Sequence, residues 1–274
     1  MSIRCMKVHF DATPESIDRL QLARHLAEVQ GAGVTAVYAA PHSSSQVPAD
    51  AVPLSSLAVF RELDEQRQRK AFVNFEAAMK EPGPHATWAA IDVDPVFTNF
   101  VQDALCADLL VLGQRSSADC RDDEMPHDFA ESVVIASGRP AIVVPCGSRT
   151  PDVGRRIVLA WKATPEAMHA VTAALPLMQQ ADQVHLATWG EPDAGPQELA
   201  GIEHYLRQHD IEPKRYEGGS SNAVGDAVLA FCRQVSADLL VMGCYGHTRF
   251  RERVLGGATR TVLHSMTLPV LLAH

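Results

Sequence analysis

The sequence lacks an excess of positive charge and lacks long apolar runs, and each absence removes a class of function. Acidic residues number 33 against 24 basic ones, so the formal net charge is −9. An acidic surface repels nucleic acid and anionic lipid. No apolar stretch approaches the roughly 20 residues that a membrane span needs. The chain is therefore expected to bind neither nucleic acid nor membrane.

Paired cysteines and a signal-peptide core are also missing. The first residues enter an alternating, strand-like pattern instead of an apolar run. None of the six cysteines forms a Cys-x-x-Cys pair, which favours reduced thiols. A cytoplasmic location is the expectation. The cysteines are Cys5, Cys106, Cys120, Cys146, Cys232 and Cys244.

Catalytic motifs are absent as well. There is no Gly-x-Ser-x-Gly elbow, no His-Glu-x-x-His and no Cys/His grouping at zinc spacing. His204 and His209 stand five apart, so they do not share a helix face well. No catalytic residue and no metal site is predicted. Slow ATP hydrolysis stays open, although no residue identifies itself as a general base.

The sequence contains an internal repeat. ADLLVLG at 107–113 returns as ADLLVMG at 237–243, and VHFDATPES at 8–16 is echoed by LAWKATPEA at 159–167. Each half closes with a proline and an apolar run, RPAIVVP and LPVLLAH. Such repetition predicts two homologous domains, 1–147 and 154–274, with an insertion at 41–84 in the first.

Within each half, strand patterns alternate with helix patterns, which predicts an α/β fold. We expect two tandem, doubly wound, five-stranded and mostly parallel sheets with helices on both faces. Thr13 is predicted to cap the first helix, and Thr164-Pro165 starts its counterpart. The predicted strands cover 6–10, 34–40, 87–93, 109–112 and 141–144, then 157–161, 184–189 and 239–242.

A glycine-bracketed basic loop, GCYGHTRFRERVLGGAT at 243–259, leaves the end of a predicted strand. In parallel sheets, ligands bind at this end. Gly256 and Gly257 precede a helix whose free amides favour an anion, and nearby arginines suit phosphate. The pattern indicates a phosphate cradle, and the alternative is a simple connecting turn. It is neither a P-loop nor a Gly-x-Gly-x-x-Gly turn.

The spacing G-x2-G-x9-G, as Gly243, Gly246 and Gly256, resembles the nucleotide-binding loop of the universal stress protein (UspA-like) family. The resemblance runs over nearly the whole chain and identifies it as a tandem member. It implies an adenine nucleotide alpha-hydrolase-like fold that binds ATP or AMP, with Mg²⁺ as a candidate companion. The implied nucleotide contacts are Gly243, Gly246, His247, Gly256, Gly257, Ala258, Thr259, Trp189 and Lys162, and Asp11 holds the adenine-side position of the first domain.

Two departures from the family pattern affect this site. Gly257 stands where the family usually places Ser or Thr, so one hydroxyl donor to phosphate is lost. Lys162 stands at the position of Asp11, and an ammonium cannot accept a hydrogen bond from adenine or ribose. The first half keeps Asp11 but lacks the second and third glycines and carries acidic residues after Gly113. That half is predicted not to bind a triphosphate.

Three functions remain open. The favoured one is a universal stress protein whose C-terminal domain binds an adenine nucleotide as a regulatory ligand. The second is a nucleotide-free scaffold for an unknown protein partner, and the third is a thiol sensor that uses Cys244. The two closing segments are expected to pair as an intramolecular pseudo-dimer, with a homodimer of such chains as an alternative.

Overall fold

The computed structural model describes residues 2–46, 56–114, 128–148, 152–189, 196–219, 223–244 and 257–274. Contacts divide the chain into two compact units, a first unit of Ile3–Arg139 and a second unit of Pro140–His274 that also takes in Met1–Ser2. Both are α/β, as the alternating patterns predict. Among the described residues, no helix combines the length and apolar character that crossing a bilayer requires.

The first unit is a parallel sheet of four strands in the order β3-β2-β1-β4. Four of the six residues of its inner strand β1 are buried, and Cys5 and Lys7 are half-buried. The elements in chain order are β1 (Cys5–Phe10), α1 (Glu15–Gln30), β2 (Gly33–Tyr38), a 3₁₀ turn (Ser43–Gln46), α2 (Leu57–Ala78), β3 (Ala86–Ala90), α3 (Val96–Ala104), β4 (Leu109–Gly113) and α4 (Phe129–Ser137).

Two consecutive residues of β1 show that helices cover both faces of this sheet. The ring of Phe10 packs against Phe75 of α2, with centroids 6.2 Å apart. The ring of His9 packs against Phe100 of α3 and Phe129 of α4 on the other face. Neighbouring strand residues point to opposite faces, so the sheet is doubly wound as predicted.

The second unit holds six strands in the order β5-β10-β9-β6-β7-β8. All neighbours run parallel except β5 and β10. The elements are β5 (Ala141–Val144), β6 (Arg156–Ala160), α5 (Pro165–Met178), β7 (Gln183–Trp189), α6 (Pro196–Gln208), β8 (Lys214–Gly218), α7 (Val224–Gln234), β9 (Leu239–Gly243), α8 (Gly257–Ser265) and β10 (Val270–Ala273).

Strand β5 lies antiparallel to β10, with Ile142 opposite Leu271. The predicted pairing of the two closing segments is therefore confirmed. It also explains why the described units hold four and six strands instead of five each. β5 closes the first sequence repeat, but its contacts with β10 assign it to the second unit.

The aspartate of each ADLLV segment, Asp108 or Asp238, accepts hydrogen bonds from backbone amides at the start of a neighbouring strand. Asp108 accepts hydrogen bonds from the amides of Arg4 and Cys5 at 2.8 and 2.9 Å. Asp238 accepts from the amides of residues 154, 155 and 156 at 2.8–3.1 Å. These contacts lie at the amino ends of the strands, opposite the edge where a ligand would bind.

Candidate functional site

The carboxyl edge of the second sheet contains a topological switch point. The chain leaves β6 toward β7 on one side, whereas β9 pairs with β6 on the other side. The connections that diverge from such a point leave a crevice, which is the usual ligand position in open α/β sheets. Gly243, Lys162 and Trp189 stand at the carboxyl ends of β9, β6 and β7, so the fold brings three predicted site residues to one edge.

Gly243 is required by a close approach of two backbones. A β-carbon added there would lie 2.5 Å from the amide nitrogen of Ala167 and 2.7 Å from the carbonyl carbon of Glu166. The first turn of α5 therefore presses directly on the end of β9. Thr164 caps this helix by accepting from the Ala167 amide at 3.3 Å. The glycine that opens the predicted loop thus has a packing role of its own.

Helix α8 begins at Gly257. Of the predicted phosphate cradle at 243–259, the structure describes residues 243–244 and 257–259. Gly257 is exposed, and a β-carbon there would meet no atom of the described residues within 4 Å. Ala258 is half-buried and Thr259 is only 5% exposed. Gly225 of α7 allows α8 to pack close to α7. A β-carbon added at Gly225 would lie only 2.9 Å from the Ala258 carbonyl oxygen. Gly246, His247 and Gly256 lie outside the described residues.

Lys162 follows β6 and is exposed. Within the described part of the chain, its ammonium has no carboxylate within salt-bridge distance. Glu166, four residues on in the first turn of α5, keeps its Oε2 buried without a hydrogen-bond partner. The two side chains therefore do not neutralise each other.

Trp189 ends β7 inside an aromatic cluster. Its ring lies 5.9 Å from that of Tyr216 and 6.0 Å from that of Phe231. Gly218 lets the indole lie on β8, because any β-carbon there would collide with the Trp189 ring. Trp189 is half-buried, so part of its surface remains open at the strand end.

The thiol that the sensor hypothesis needs is enclosed. Cys244 is 1% exposed, and its backbone continues the sheet by donating to the Ala273 carbonyl at 2.9 Å. Cys232 of α7 is buried as well, and burial raises the pKa of its thiol to about 12. An enclosed thiol reacts slowly with oxidants, which weakens the sensor hypothesis.

In the first unit, the residue that corresponds to Lys162 is Asp11, and its carboxylate is hydrogen-bonded by side chains of the same unit. Asp11 follows β1 and is 7% exposed. Its Oδ2 accepts from the guanidinium of Arg19 at 2.9 Å, and its Oδ1 accepts from Ser16 Oγ at 2.5 Å and from the Thr13 hydroxyl. The prediction that Thr13 caps α1 is wrong, because its hydroxyl binds Asp11 and no side chain caps that helix.

A second internal contact occupies the end of β2. His9 Nε2 lies 2.8 Å from the carbonyl oxygen of Ala39, which by strand register matches Trp189 of the second unit. Arg19 also donates from Nε to the His9 carbonyl at 3.0 Å. Its guanidinium lies against Gly113, where an added β-carbon would be 2.5 Å from Nη1.

The burial and contacts of this cluster lower the pKa values of both Asp11 and His9. Burial alone would raise the pKa of Asp11, but the charges of Arg19 and His9 and the hydrogen bonds from Ser16 and Thr13 outweigh it and hold that pKa well below its usual range. Burial, with a smaller effect of the Arg19 charge, lowers the pKa of His9 to about 4. At neutral pH the cluster therefore holds a neutral imidazole and one compensated ion pair.

Sequence reasoning found Asp11 but missed its partners. Aligned through the shared Thr-Pro-Glu, Arg19 corresponds to Ala170 and Ser16 to Ala167, so neither polar residue recurs in the second half. This difference between the two repeats was the sequence signal that could have identified Arg19 and Ser16 as partners of Asp11. The described residues contain no group of three or more His, Cys, Asp or Glu side chains that could hold a metal ion.

The family model of the Universal stress protein family matches residues 154–274. The chain is also 30% identical to universal stress protein Slr1230 of Synechocystis sp. over 91 residues, a match that covers 32% of this chain and 31% of that relative. Residues 154–274 are therefore similar to the universal stress protein family. The matched part spans about a third of the curated relative.

Solved structures extend the likeness of fold to the whole chain. A universal stress protein from Archaeoglobus fulgidus DSM 4304 superposes with a TM-score of 0.73 at 15% identity, covering 98% of this chain and 97% of that one. A functionally unknown protein from Pseudomonas aeruginosa PAO1 superposes with a TM-score of 0.61 at 11% identity, covering 99% and 92%. At such identities the likeness concerns the fold alone.

Proposed function

We propose that the chain is a tandem universal stress protein whose second domain binds an adenine nucleotide, ATP or AMP, as a regulatory ligand. The observation that carries the proposal is the Gly243, Gly246 and Gly256 spacing inside a segment that matches the family, at the carboxyl end of β9. The phosphates would meet the amides of Gly257 and Ala258 at the start of α8. The base would lie toward Trp189.

The first unit would serve as a structural or partner-binding copy. Asp11 and the Ala39 carbonyl, the positions that the resemblance assigns to the adenine end, already have Arg19 and His9 as partners. A ligand would have to break a buried ion pair before binding there, which costs several kcal/mol. This internal satisfaction also favours the second candidate function, a nucleotide-free scaffold.

Mg²⁺ would arrive with the phosphates instead of resting in a protein cage. Since Mg²⁺ commonly binds through one or two carboxylates together with substrate phosphates, Glu166 beside Gly243 is the candidate carboxylate of this edge. Titrations with and without Mg²⁺ test this part of the proposal.

The test is calorimetric titration of nucleotide-free protein with AMP and with ATP. A side chain at Gly257 meets none of the described residues within 4 Å, so Gly257→Asp and Gly257→Ser can be compared without repacking that part of the chain. We expect Asp to weaken binding at least about tenfold by charge repulsion, and Ser to strengthen it by adding a hydroxyl donor. Gly201→Asp, at another open glycine on α6, is the matched control and should leave affinity unchanged.

Absence of saturable binding to either nucleotide would favour the scaffold. The partner search would then begin with crosslinking of the intact chain. Sedimentation velocity at several concentrations distinguishes a monomer, in which the pairing of β5 with β10 suffices, from a homodimer.

A further inference from the structure

The two repeats differ in charge at matching positions just beyond the ends of β1 and β6. In the first unit, the Asp11 carboxylate faces the Arg19 guanidinium, so the charges cancel inside the protein. In the second unit, Lys162 replaces Asp11 and Ala170 replaces Arg19. Within the described residues, no side chain compensates the Lys162 ammonium. The second domain therefore presents one exposed positive charge where the first presents a neutral, closed pair.

Strand order places this charge between the two ends of the proposed site. β6 lies between β9, which leads to α8, and β7, which ends in Trp189. Neighbouring strands are about 4.8 Å apart, so β9 and β7 are separated by roughly the length of a nucleoside. A nucleotide with its phosphates at α8 and its base near Trp189 would cross the end of β6 with its ribose. Lys162 would then stand beside the sugar.

A carboxylate at such a position accepts hydrogen bonds from ribose hydroxyls, whereas an ammonium only donates. The same logic applies in dinucleotide folds, where an acidic residue selects the free ribose and a cation accommodates a ribose phosphate. We infer that Lys162 selects adenine nucleotides that carry a phosphate on the ribose 2′ or 3′ oxygen. This inference rests on the proposed function and narrows its ligand class.

Glu166 is the acidic residue whose pairing with Lys162 the experiment must exclude. It lies one turn further along the chain, and its Oε2 is buried and unpartnered. If Lys162 served Glu166 instead of a ligand, removing the ammonium would change folding stability and leave ligand preference unchanged. Urea denaturation of each variant, measured beside the titrations, separates these two roles.

The experiment titrates the full, nucleotide-free chain with AMP, ADP, adenosine 2′,5′-bisphosphate and adenosine 3′,5′-bisphosphate. ADP carries its second phosphate on the 5′ side and therefore controls for the number of phosphates. We expect one bisphosphate to bind about three- to tenfold more tightly than ADP. Lys162→Met should abolish that preference, and Lys162→Asp should reverse it in favour of AMP and ADP. Lys214→Asp, at the amino end of β8, is the control and should preserve it.

Each other outcome has a distinct meaning. Equal or tighter binding of ADP by the native chain would overturn the inference and leave the proposed function standing. An equal loss for all four ligands in Lys162→Met would also overturn it, because the ammonium would then act on the common 5′-phosphate. Failure to bind any of the four would overturn both proposals.

Discussion

Arg19 Nη2 donates to the Asp11 carboxylate at 2.9 Å, and both side chains are almost completely buried, at 5% and 7% exposure. Helix α1 thereby closes the carboxyl edge of its own sheet. The second unit has Ala170 and Lys162 at the matching positions, so its edge lacks this closure. One substituted pair thus separates a closed repeat from the repeat for which a ligand is proposed.

Replacing Arg19 with Leu should destabilise the protein by about 3–5 kcal/mol, because it leaves a buried carboxylate unpaired. Urea denaturation of the intact chain measures the loss. Asp11→Ala with Arg19→Leu should cost less than the sum of the two single changes, since neither charge is then orphaned. Additive costs would show that the ion pair contributes nothing of its own.

The buried His9 should make stability fall as the pH decreases below neutrality. Its folded pKa of about 4 lies under the ordinary 6.5, so the unfolded chain takes up a proton that the folded chain refuses. Stability from this group is complete above pH 6.5 and declines by about 3 kcal/mol on reaching pH 4. His9→Gln keeps a donor for Ala39 without titrating, and its unfolding free energy should vary less between pH 7 and pH 4. An unchanged slope would contradict the assignment.

Gly243 and Gly257 should differ in how strongly the same substitution destabilises the protein. Gly243→Ala places a methyl 2.5 Å from the Ala167 amide nitrogen and should cost about 1–3 kcal/mol through overpacking. Gly257→Ala meets no described residue within 4 Å and should change stability by less than about 0.5 kcal/mol. Thermal unfolding of both variants checks the contrast. Equal effects would mean that α5 does not press on β9.

Arg24 is predicted to be among the most costly residues to remove. Its buried guanidinium donates to the carbonyls of Ala78, Glu81 and Pro84 at 2.8 Å each, at the end of α2 and in the loop beyond it. Arg24→Met would orphan these acceptors and cost about 3 kcal/mol. Gln21→Met is the matched control, since Ala78 would keep its bond from Arg24, and it should cost under about 1 kcal/mol.

Thiol labelling of the native protein should discriminate between cysteines by burial. Cys106 is exposed, whereas Cys244 is 1% exposed. A maleimide should therefore modify Cys106 well before Cys244, as mass spectrometry of digested samples would reveal. Rapid modification of Cys244 would revive the sensor hypothesis.

Local patterns alone predicted most of the fold. β5 begins and ends at its predicted residues, and the other predicted strands differ by one to three residues at their ends. Strand β8 (KRYEG) was missed because an edge strand exposes one side to water, and its polar composition resembles a loop. Thr13 and Thr164 share a Thr-Pro-Glu context, yet only Thr164 caps its helix. The competing acceptor, Asp11, is present in the sequence, but only the structure shows that the Thr13 hydroxyl binds it.

The sequence by itself determined the repeat, the alternation of strands and helices, and the glycine spacing at the end of β9, because these depend on side-chain period and on near neighbours. Tertiary structure alone decided the pairing of β5 with β10, the backbone approach that requires Gly243, and the closure of the first unit by Arg19. Each of these depends on residues far apart in the chain or on opposite sides of a turn. Their distances are set by packing, and no local pattern encodes packing.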